Sequence, residues 1–322
     1  MIAFPQYFSA RNAILAALTC QEISHQTGVI EIDASALLFI DPFGIAMLGA
    51  CFDGVLKRGD KLRVYGLSSN LSGYLQRMDL FKDVELVNCA VNHVNRKDQS
   101  NALVELTQVT KHAEVGATSL RLATAIVGQF HHQDPNEVGD EMTGYTTHQR
   151  LIEPIQYVFS ELLENALTHA RRGNKEACVW VASQYYNSGI IRLGIVDNGC
   201  GFLESLRGHA ELEKKKHLQA ILLALRPRIS CNRDLVLGND SVNQGVGLTT
   251  SFRIVEQAGG NLTLLSGDAM HNTSGYGVES DGAYWQGVGL ALELKRHRLA
   301  DVRLRELLPM LSDLPPVTLR FE

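Results

Sequence analysis

YVFSELLENALTHA, residues 157–170, is the stretch that decides the fold of this chain. Its apolar residues recur at helical spacing and share one broad face, which predicts an amphipathic helix. On a second face, Glu161 and Asn165 are four positions apart and therefore lie one helical turn apart. A carboxylate and an amide oxygen placed in this way can position a water molecule and hold a magnesium ion. Taken alone, such a pair is more often simply solvated.

The second informative segment is GIIRLGIVDNGCGF, residues 189–202. Its alternating apolar residues predict a strand that ends at Asp197 and is followed by Gly199 and Gly201. Glycine lets the backbone approach a bound group because no Cβ stands in the way. Considered by itself, the segment fits equally well an Asp-Asn-Gly surface turn that closes a hairpin.

The third segment is QGVGLTTSFRIVEQAGG, residues 244–260. Gly245 and Gly247 form a Gly-x-Gly turn before the predicted helix Leu248–Gln257, and a Gly-Gly pair ends that helix. The first backbone N–H groups of a helix have no partner within it, so this turn predicts a cradle for a triphosphate.

The order of the three segments resembles the Bergerat-type (GHKL, histidine-kinase-like) ATP-binding family of gyrase, heat-shock-ninety chaperones, histidine kinases and mismatch-repair ATPases. That family has a helix with E-x-x-x-N, a strand ending in D-x-G-x-G, and a G-x-G-L turn that opens a helix. The resemblance covers roughly residues 100–296.

This resemblance implies ATP and Mg²⁺ as cofactors. It makes Asp197 the acceptor for the adenine amino group, in whose place guanine carries an acceptor oxygen. It makes Glu161 the general base and Asn165 the magnesium ligand. The remaining predicted nucleotide contacts are Gly199, Gly201, Gly245, Gly247 and Leu248.

Two further features bear on the predicted site. Residues 202–243 occupy the place of the family's lid over the phosphates, and within them we expect one clear helix, Leu212–Leu225. The string QGVGL recurs at 286–290, but the alternation after it predicts a closing strand and not a second phosphate loop. The family has a Gly-Thr pair there, so we assign no ligand contact to Gly287-Val288.

Residues 1–95 show alternating strand and helix patterns, which predict an α/β layer fold. The run IEIDASALLFIDPFGIAMLGACFDGVLKRGDKLRVYG, residues 30–66, is similar to the STAS domain of sulfate transporters and anti-sigma-factor antagonists. Where that family carries its regulatory phosphoserine, this chain has Pro42 and Phe43, which cannot accept a phosphoryl group. The resemblance implies a docking or dimerising module, and the alternative is an unrelated α/β domain that packs against its neighbour.

We therefore expect an α/β protein with two domains. Residues 1–95 form the STAS-like domain, and residues 96–322 form a Bergerat-type two-layer α/β sandwich that includes the lid at 202–243. The polar, turn-rich stretch Asn92–Asn101 lies at the predicted boundary.

Composition limits the classes of function. Of the 322 residues, 45% are hydrophobic and 20% are charged, which is ordinary for a globular protein, and the net charge of −5 gives no footprint for nucleic acid. No apolar run approaches the ~20 residues of a membrane span. The N-terminus lacks a signal-peptide pattern, and the six cysteines form no C-x-x-C pair, so we expect reduced thiols and a cytoplasmic location.

The expected function is an ATP-binding signalling switch whose slow, Mg²⁺-dependent hydrolysis changes how protein partners dock, with homodimerisation as one form of docking. One alternative is a serine/threonine kinase of the anti-sigma type that acts on a separate STAS protein. Another is an interaction module that binds ATP without hydrolysing it. We do not expect a complete histidine kinase, because His112, His148 and His169 lie in no phosphoacceptor motif.

Overall fold

The computed structural model describes residues 1–89, 96–128, 146–171, 176–226 and 247–302. Within these ranges the chain combines helices with one parallel sheet, one antiparallel sheet and one short parallel strand pair. The predicted α/β class is therefore confirmed. No helix in these ranges has the length and apolar character that crossing a bilayer requires.

The strands are β1 (Ile2–Ala3), β2 (Tyr7–Phe8), β3 (Val29–Asp33), β4 (Phe39–Ile40), β5 (Lys61–Tyr65), β6 (Glu85–Val87), β7 (Leu103–Val109), β8 (Val179–Tyr185), β9 (Ile190–Asp197), β10 (Asn261–Gly267), β11 (Ala269–Asn272), β12 (Tyr276–Glu279) and β13 (Trp285–Lys295). The helices are α1 (Ala13–His25), α2 (Pro42–Lys57), α3 (Ser69–Arg77), α4 (Val115–Val127), α5 (Thr147–Ala170), α6 (Gly201–Ser205), α7 (His217–Ala224) and α8 (Gly247–Gln257). Short 3₁₀ helices cover Ala10–Asn12, His112–Glu114 and Arg296–Asp301.

The first sheet has four parallel strands in the order β1-β3-β5-β6. Helix α2 starts at Pro42, because proline suits the first turn of a helix. Asp41 caps that turn: its Oδ1 accepts the Gly44 N–H at 2.9 Å, and its Oδ2 accepts the Ala10 N–H at 3.0 Å. The cap thus fixes the start of α2 relative to the preceding chain.

The second sheet has seven antiparallel strands in the order β12-β11-β10-β13-β9-β8-β7. Strand β13, predicted as a closing strand, lies inside the sheet between β10 and β9. Strands β11 and β12 were not predicted, because they are short and mix polar and apolar residues without clear alternation. Helix α5 begins at Thr147, ten residues before the stretch that predicted it.

Helices cover both faces of the second sheet. Helices α4, α5 and α8 share a hydrophobic core with one face, and α2 packs on the other. Strand β8 shows the cause: Val179 and Val181 face the first group of helices, whereas Trp180 and Ala182 join the core around α2. The predicted two-layer description of this unit is therefore incomplete, since α2 of the N-terminal unit adds a layer.

The shared core joins the two units directly. All strands of the first sheet end before residue 90, and all strands of the second begin after residue 102. The predicted boundary near residue 95 falls within 90–95, outside the described residues.

Two glycines let α2 approach the second sheet closely. A Cβ added at Gly194 would lie 2.5 Å from the Cα of Phe43 and 2.6 Å from the carbonyl oxygen of Pro42. A Cβ added at Gly289 would lie 2.9 Å from the Phe43 ring. Glycine inside a strand often marks such a close approach of another segment.

We expect Gly194→Ala to lower the free energy of unfolding by about 1–3 kcal/mol, because the added methyl group overlaps the start of α2. Urea unfolding measures the change. Gly54→Ala, on α2 itself, is the matched control: its Cβ meets open space, so we expect unchanged stability or a gain of up to about 1 kcal/mol. Equal effects of the two substitutions would contradict the close packing of α2 on β9.

Candidate functional site

A cavity opens between the second sheet and the helices that cover it. Its empty space is about 950 Å³, a figure that includes space open to solvent. Strands β9 and β13, helices α5 and α6, and the ends of α7 and α8 contribute its lining. The lining residues are Leu162, Asn165, Ala166, His169, Ala170, Ile195, Asp197, Gly201, Phe202, Ser205, Leu206, Ala224, Leu248, Val288 and Leu290.

Asp197 is the almost completely buried carboxylate of this cavity. Its Oδ1 accepts the Gly199 N–H at 2.9 Å and the Val288 N–H at 3.2 Å. Its Oδ2 accepts no hydrogen bond from the described residues. Burial raises the pKa of Asp197 to about 7, against the lowering effect of the two N–H donors. The side chain therefore keeps one acceptor oxygen for a ligand that donates a hydrogen bond.

The start of β13 supports Asp197 in a way that the sequence did not predict. A Cβ at Gly287 would lie 2.0 Å from the Asp197 carbonyl oxygen and 2.6 Å from its Oδ1. The Trp285 indole N–H donates to that carbonyl oxygen at 3.0 Å. Bare backbone at Gly287 thus allows Val288 to donate to the carboxylate. The recurrence of the string QGVGL at 286–290 was the signal that could have indicated this role.

The glycines after Asp197 have packing reasons of their own. A Cβ at Gly199 would lie 2.1 Å from the Cα of Ala170, so this glycine lets the end of α5 approach. Gly201 has a φ of +74°, and a Cβ there would lie 2.7 Å from the Oγ of Ser266. That hydroxyl accepts the Phe202 N–H at 3.1 Å. The predicted contacts of Gly199 and Gly201 with a nucleotide remain predictions.

Helix α5 places Asn165 in the cavity lining and Glu161 one turn earlier. Burial, with a smaller effect from the charge of Glu164, raises the pKa of the half-buried Glu161. The Ser160 hydroxyl donates to Ser119 of α4 at 2.8 Å, which fixes the rotation of α5 about its axis. Among the described residues, no cluster of three or more His, Cys, Asp or Glu side chains could hold a metal. A divalent ion at Asn165 would thus complete its ligands with phosphate oxygens and water.

Helix α8 contributes the third predicted segment. It begins at Gly247, and Leu248 lines the cavity. Gly245 lies outside the described residues, so its predicted role is untested.

The first part of the predicted lid forms packed structure beside the cavity. Helix α7 begins at His217 and not at the predicted Leu212, because Lys215 adopts a left-handed φ of +48° that a continuous helix excludes. A small hydrophobic cluster joins α6 to α7, which packs on β10, β11 and β12. Leu206 and Ala224 from this part line the cavity, and residues 227–243 lie outside the described ranges.

The structure thus brings Asn165, Asp197, Gly201 and Leu248 to one cavity, although they come from three separate segments of the sequence. Of the other predicted residues, Glu161 lies one turn before Asn165 and Gly199 lies between Asp197 and Gly201, but neither lines the cavity. His169, Ser205 and Val288 line it without having been predicted to do so.

Comparison of the chain with protein-family models, with curated proteins and with solved structures gave no match. The family expected from the three motifs therefore stays a prediction.

The raised pKa of Asp197 predicts a pH dependence of stability. The native state holds this proton up to about pH 7, whereas an unfolded chain releases it near pH 4. Since the native state binds more protons in this window, the free energy of unfolding should fall by up to about 4 kcal/mol from this group as pH rises from about 4 to 7.

Urea unfolding of the wild type and Asp197→Asn, from pH 4 to 8, measures this contribution. Ionisable groups that titrate alike in both proteins cancel in the difference between their free energies of unfolding. The Asn variant should gain stability relative to the wild type as pH rises. A difference that stays constant with pH would contradict a buried carboxyl group with a raised pKa at this position.

Proposed function

We propose that this protein is an ATP-binding regulatory protein of the Bergerat type, with a STAS-like N-terminal unit. In this proposal it hydrolyses ATP slowly with Mg²⁺ and thereby changes how its protein partners dock. The observation that supports it best is the one cavity lined by Asn165, Asp197, Gly201 and Leu248, because these residues come from all three motifs on which the resemblance rests.

Asp197 would select the base. Its Oδ1 is already held by two backbone donors, so Oδ2 is the acceptor that adenine can satisfy with its amino group. Guanine has an acceptor oxygen at the equivalent position and would leave the buried carboxylate unpaired, which costs binding free energy. The apolar neighbours in the lining, such as Ile195 and Leu290, suit the faces of a purine ring.

Asn165 and Glu161 would serve the phosphate end. Asn165 lines the cavity and offers an amide oxygen to Mg²⁺. Glu161 lies one turn away, and its raised pKa brings it closer to the range in which a carboxylate removes a proton from water efficiently. When bound, Mg²⁺ supplies charge neutralisation on the phosphate oxygens.

The N-terminal unit would act as a docking element and not as a phosphorylation switch. Pro42 and Phe43, at the place of the STAS phosphoserine, are buried against Gly194 and Gly289. A kinase activity would consequently need a separate protein as its substrate.

Asp197→Asn should abolish ATP binding while preserving the fold, because the amide offers a donor where the adenine amino group also donates. Calorimetric titration with ATP and GTP, each with Mg²⁺, measures this. The wild type should bind ATP at least about tenfold more tightly than GTP. Asp281→Asn, in an exposed turn, makes the same chemical change away from the cavity and should bind like the wild type. Undiminished ATP affinity in folded Asp197→Asn would overturn the assignment of the base site.

Glu161→Gln should lower the rate of phosphate release by roughly 10²–10⁴-fold and leave ATP affinity within a few-fold of the wild type. Glu164→Gln is the matched control, because Glu164 is an exposed glutamate on the same helix. Measurable phosphate release that is equally reduced in both variants would refute the role of Glu161. If the wild type releases no phosphate, the remaining alternatives are phosphoryl transfer to a separate STAS protein and ATP binding without hydrolysis.

A further inference from the structure

Strands β9 and β13 carry the cavity on one face and α2 on the other. In β13, Val288 and Leu290 line the cavity, and Gly289 between them contacts the Phe43 ring from the opposite side. In β9, Asp197 is the last residue and also faces the cavity. One aromatic ring of the N-terminal unit therefore lies directly behind the candidate nucleotide site.

Both the backbone and the ring of Phe43 pack closely on strands β9 and β13. Its backbone lies on Gly194, and its ring edge would be 2.9 Å from a Cβ at Gly289. The ring is 1% exposed, so it has little freedom to move aside. Gly289 pairs with Val196 in the sheet register, which places the ring one residue beyond Val288, the residue of β13 that donates to Asp197.

We propose that Phe43 is a positioning residue for the nucleotide site, whose ring sets the β9–β13 geometry that lets the Val288 N–H donate to the Asp197 carboxylate. The proposal rests on the proposed function and assigns the regulation of its ATP affinity to the N-terminal unit. The Val288 hydrogen bond is 3.2 Å long, against 2.9 Å for that of Gly199, so a small shift of β13 breaks it first.

Loss of that hydrogen bond has a signature in pH. The Val288 N–H favours the ionised carboxylate, so its loss raises the pKa of Asp197 further above about 7. A weakened Phe43 contact should therefore reduce ATP affinity most at and below about pH 7 and least near pH 9, where Asp197 ionises in every variant. The other titratable groups beside the site among the described residues are Glu161 and His169 on α5 and Cys200 before α6, and all variants share them.

The experiment is a calorimetric titration of the full-length chain with Mg²⁺-ATP at pH 6.5, 7.5 and 9. The variants are Phe43→Leu, Gly289→Ala and their combination, each checked for folding by circular dichroism and urea unfolding. Gly289→Ala should raise the Kd roughly tenfold at pH 6.5 and much less at pH 9, because its methyl group pushes on the ring. The double variant should bind more tightly than Gly289→Ala alone, since leucine frees the space of the ring tip.

Phe4→Leu is the control for a general loss of packing, because Phe4 is equally buried in the N-terminal core and stacks near Phe8. It should destabilise the chain and leave the Kd within about twofold of the wild type at every pH. The proposal is overturned if Gly289→Ala and Phe43→Leu leave the Kd unchanged, if their effects are the same at every pH, or if Phe4→Leu matches them.

A wild type that binds no ATP refutes the proposed function without deciding this inference. In that case the stability difference between each protein and its Asp197→Asn counterpart provides the readout. The pH at which this difference is half developed should be higher for Gly289→Ala than for the wild type. An unchanged midpoint refutes the positioning role of Phe43.

Discussion

A buried carboxylate must find hydrogen-bond donors or lose its charge, and Asp197 finds its donors in two different segments of backbone. Both hydrogen bonds depend on glycines, which have no side chain. Gly199 lets the turn after β9 fold back beside α5, and Gly287 lets β13 come close enough for Val288 to donate. Burial still outweighs these bonds, since the pKa stays near 7. The carboxylate is thus held in place but not satisfied, which is the state expected of a group that awaits a ligand.

The sheet that carries this group is supported from both sides. On the cavity side, α5 fixes Asn165 opposite Asp197, and on the other side α2 fills the grooves above Gly194 and Gly289. A two-layer sandwich would leave that second face in water, although Trp180 and its neighbours on β8 are apolar. The N-terminal unit therefore completes the core of the second sheet and also reaches the back of the candidate site.

Much of this could be predicted from sequence, because the relevant signals are local. Alternation located β9, helical spacing located α5, and the order of the three motifs brought Asn165, Asp197, Gly201 and Leu248 into one hypothesis. These predictions depend on periods of two and 3.6 residues, which short windows contain.

What could not be predicted depends on contacts between distant residues. Nothing near Gly194 in the sequence indicates Phe43, and nothing near Gly287 indicates that its missing Cβ serves Asp197. Arg296 is another case: its guanidinium donates to the carbonyl oxygens of Ile126, at the end of α4, and of Asn101. The left-handed φ of Lys215, which delays the start of α7, was also not predicted, although its cause is local. A lysine does not by itself favour a left-handed conformation.

The most direct test of the proposed nucleotide site uses the indole N–H of Trp285, which donates to the backbone carbonyl oxygen of Asp197. The chain has two tryptophans, so an ¹⁵N-labelled sample should give two indole resonances, and Trp285→Phe assigns them. With Mg²⁺ present, the Trp285 resonance should shift in a saturable way with ATP and far less with GTP. A Trp285 resonance that ignores saturating ATP, or that responds equally to GTP, would contradict an adenine site at Asp197.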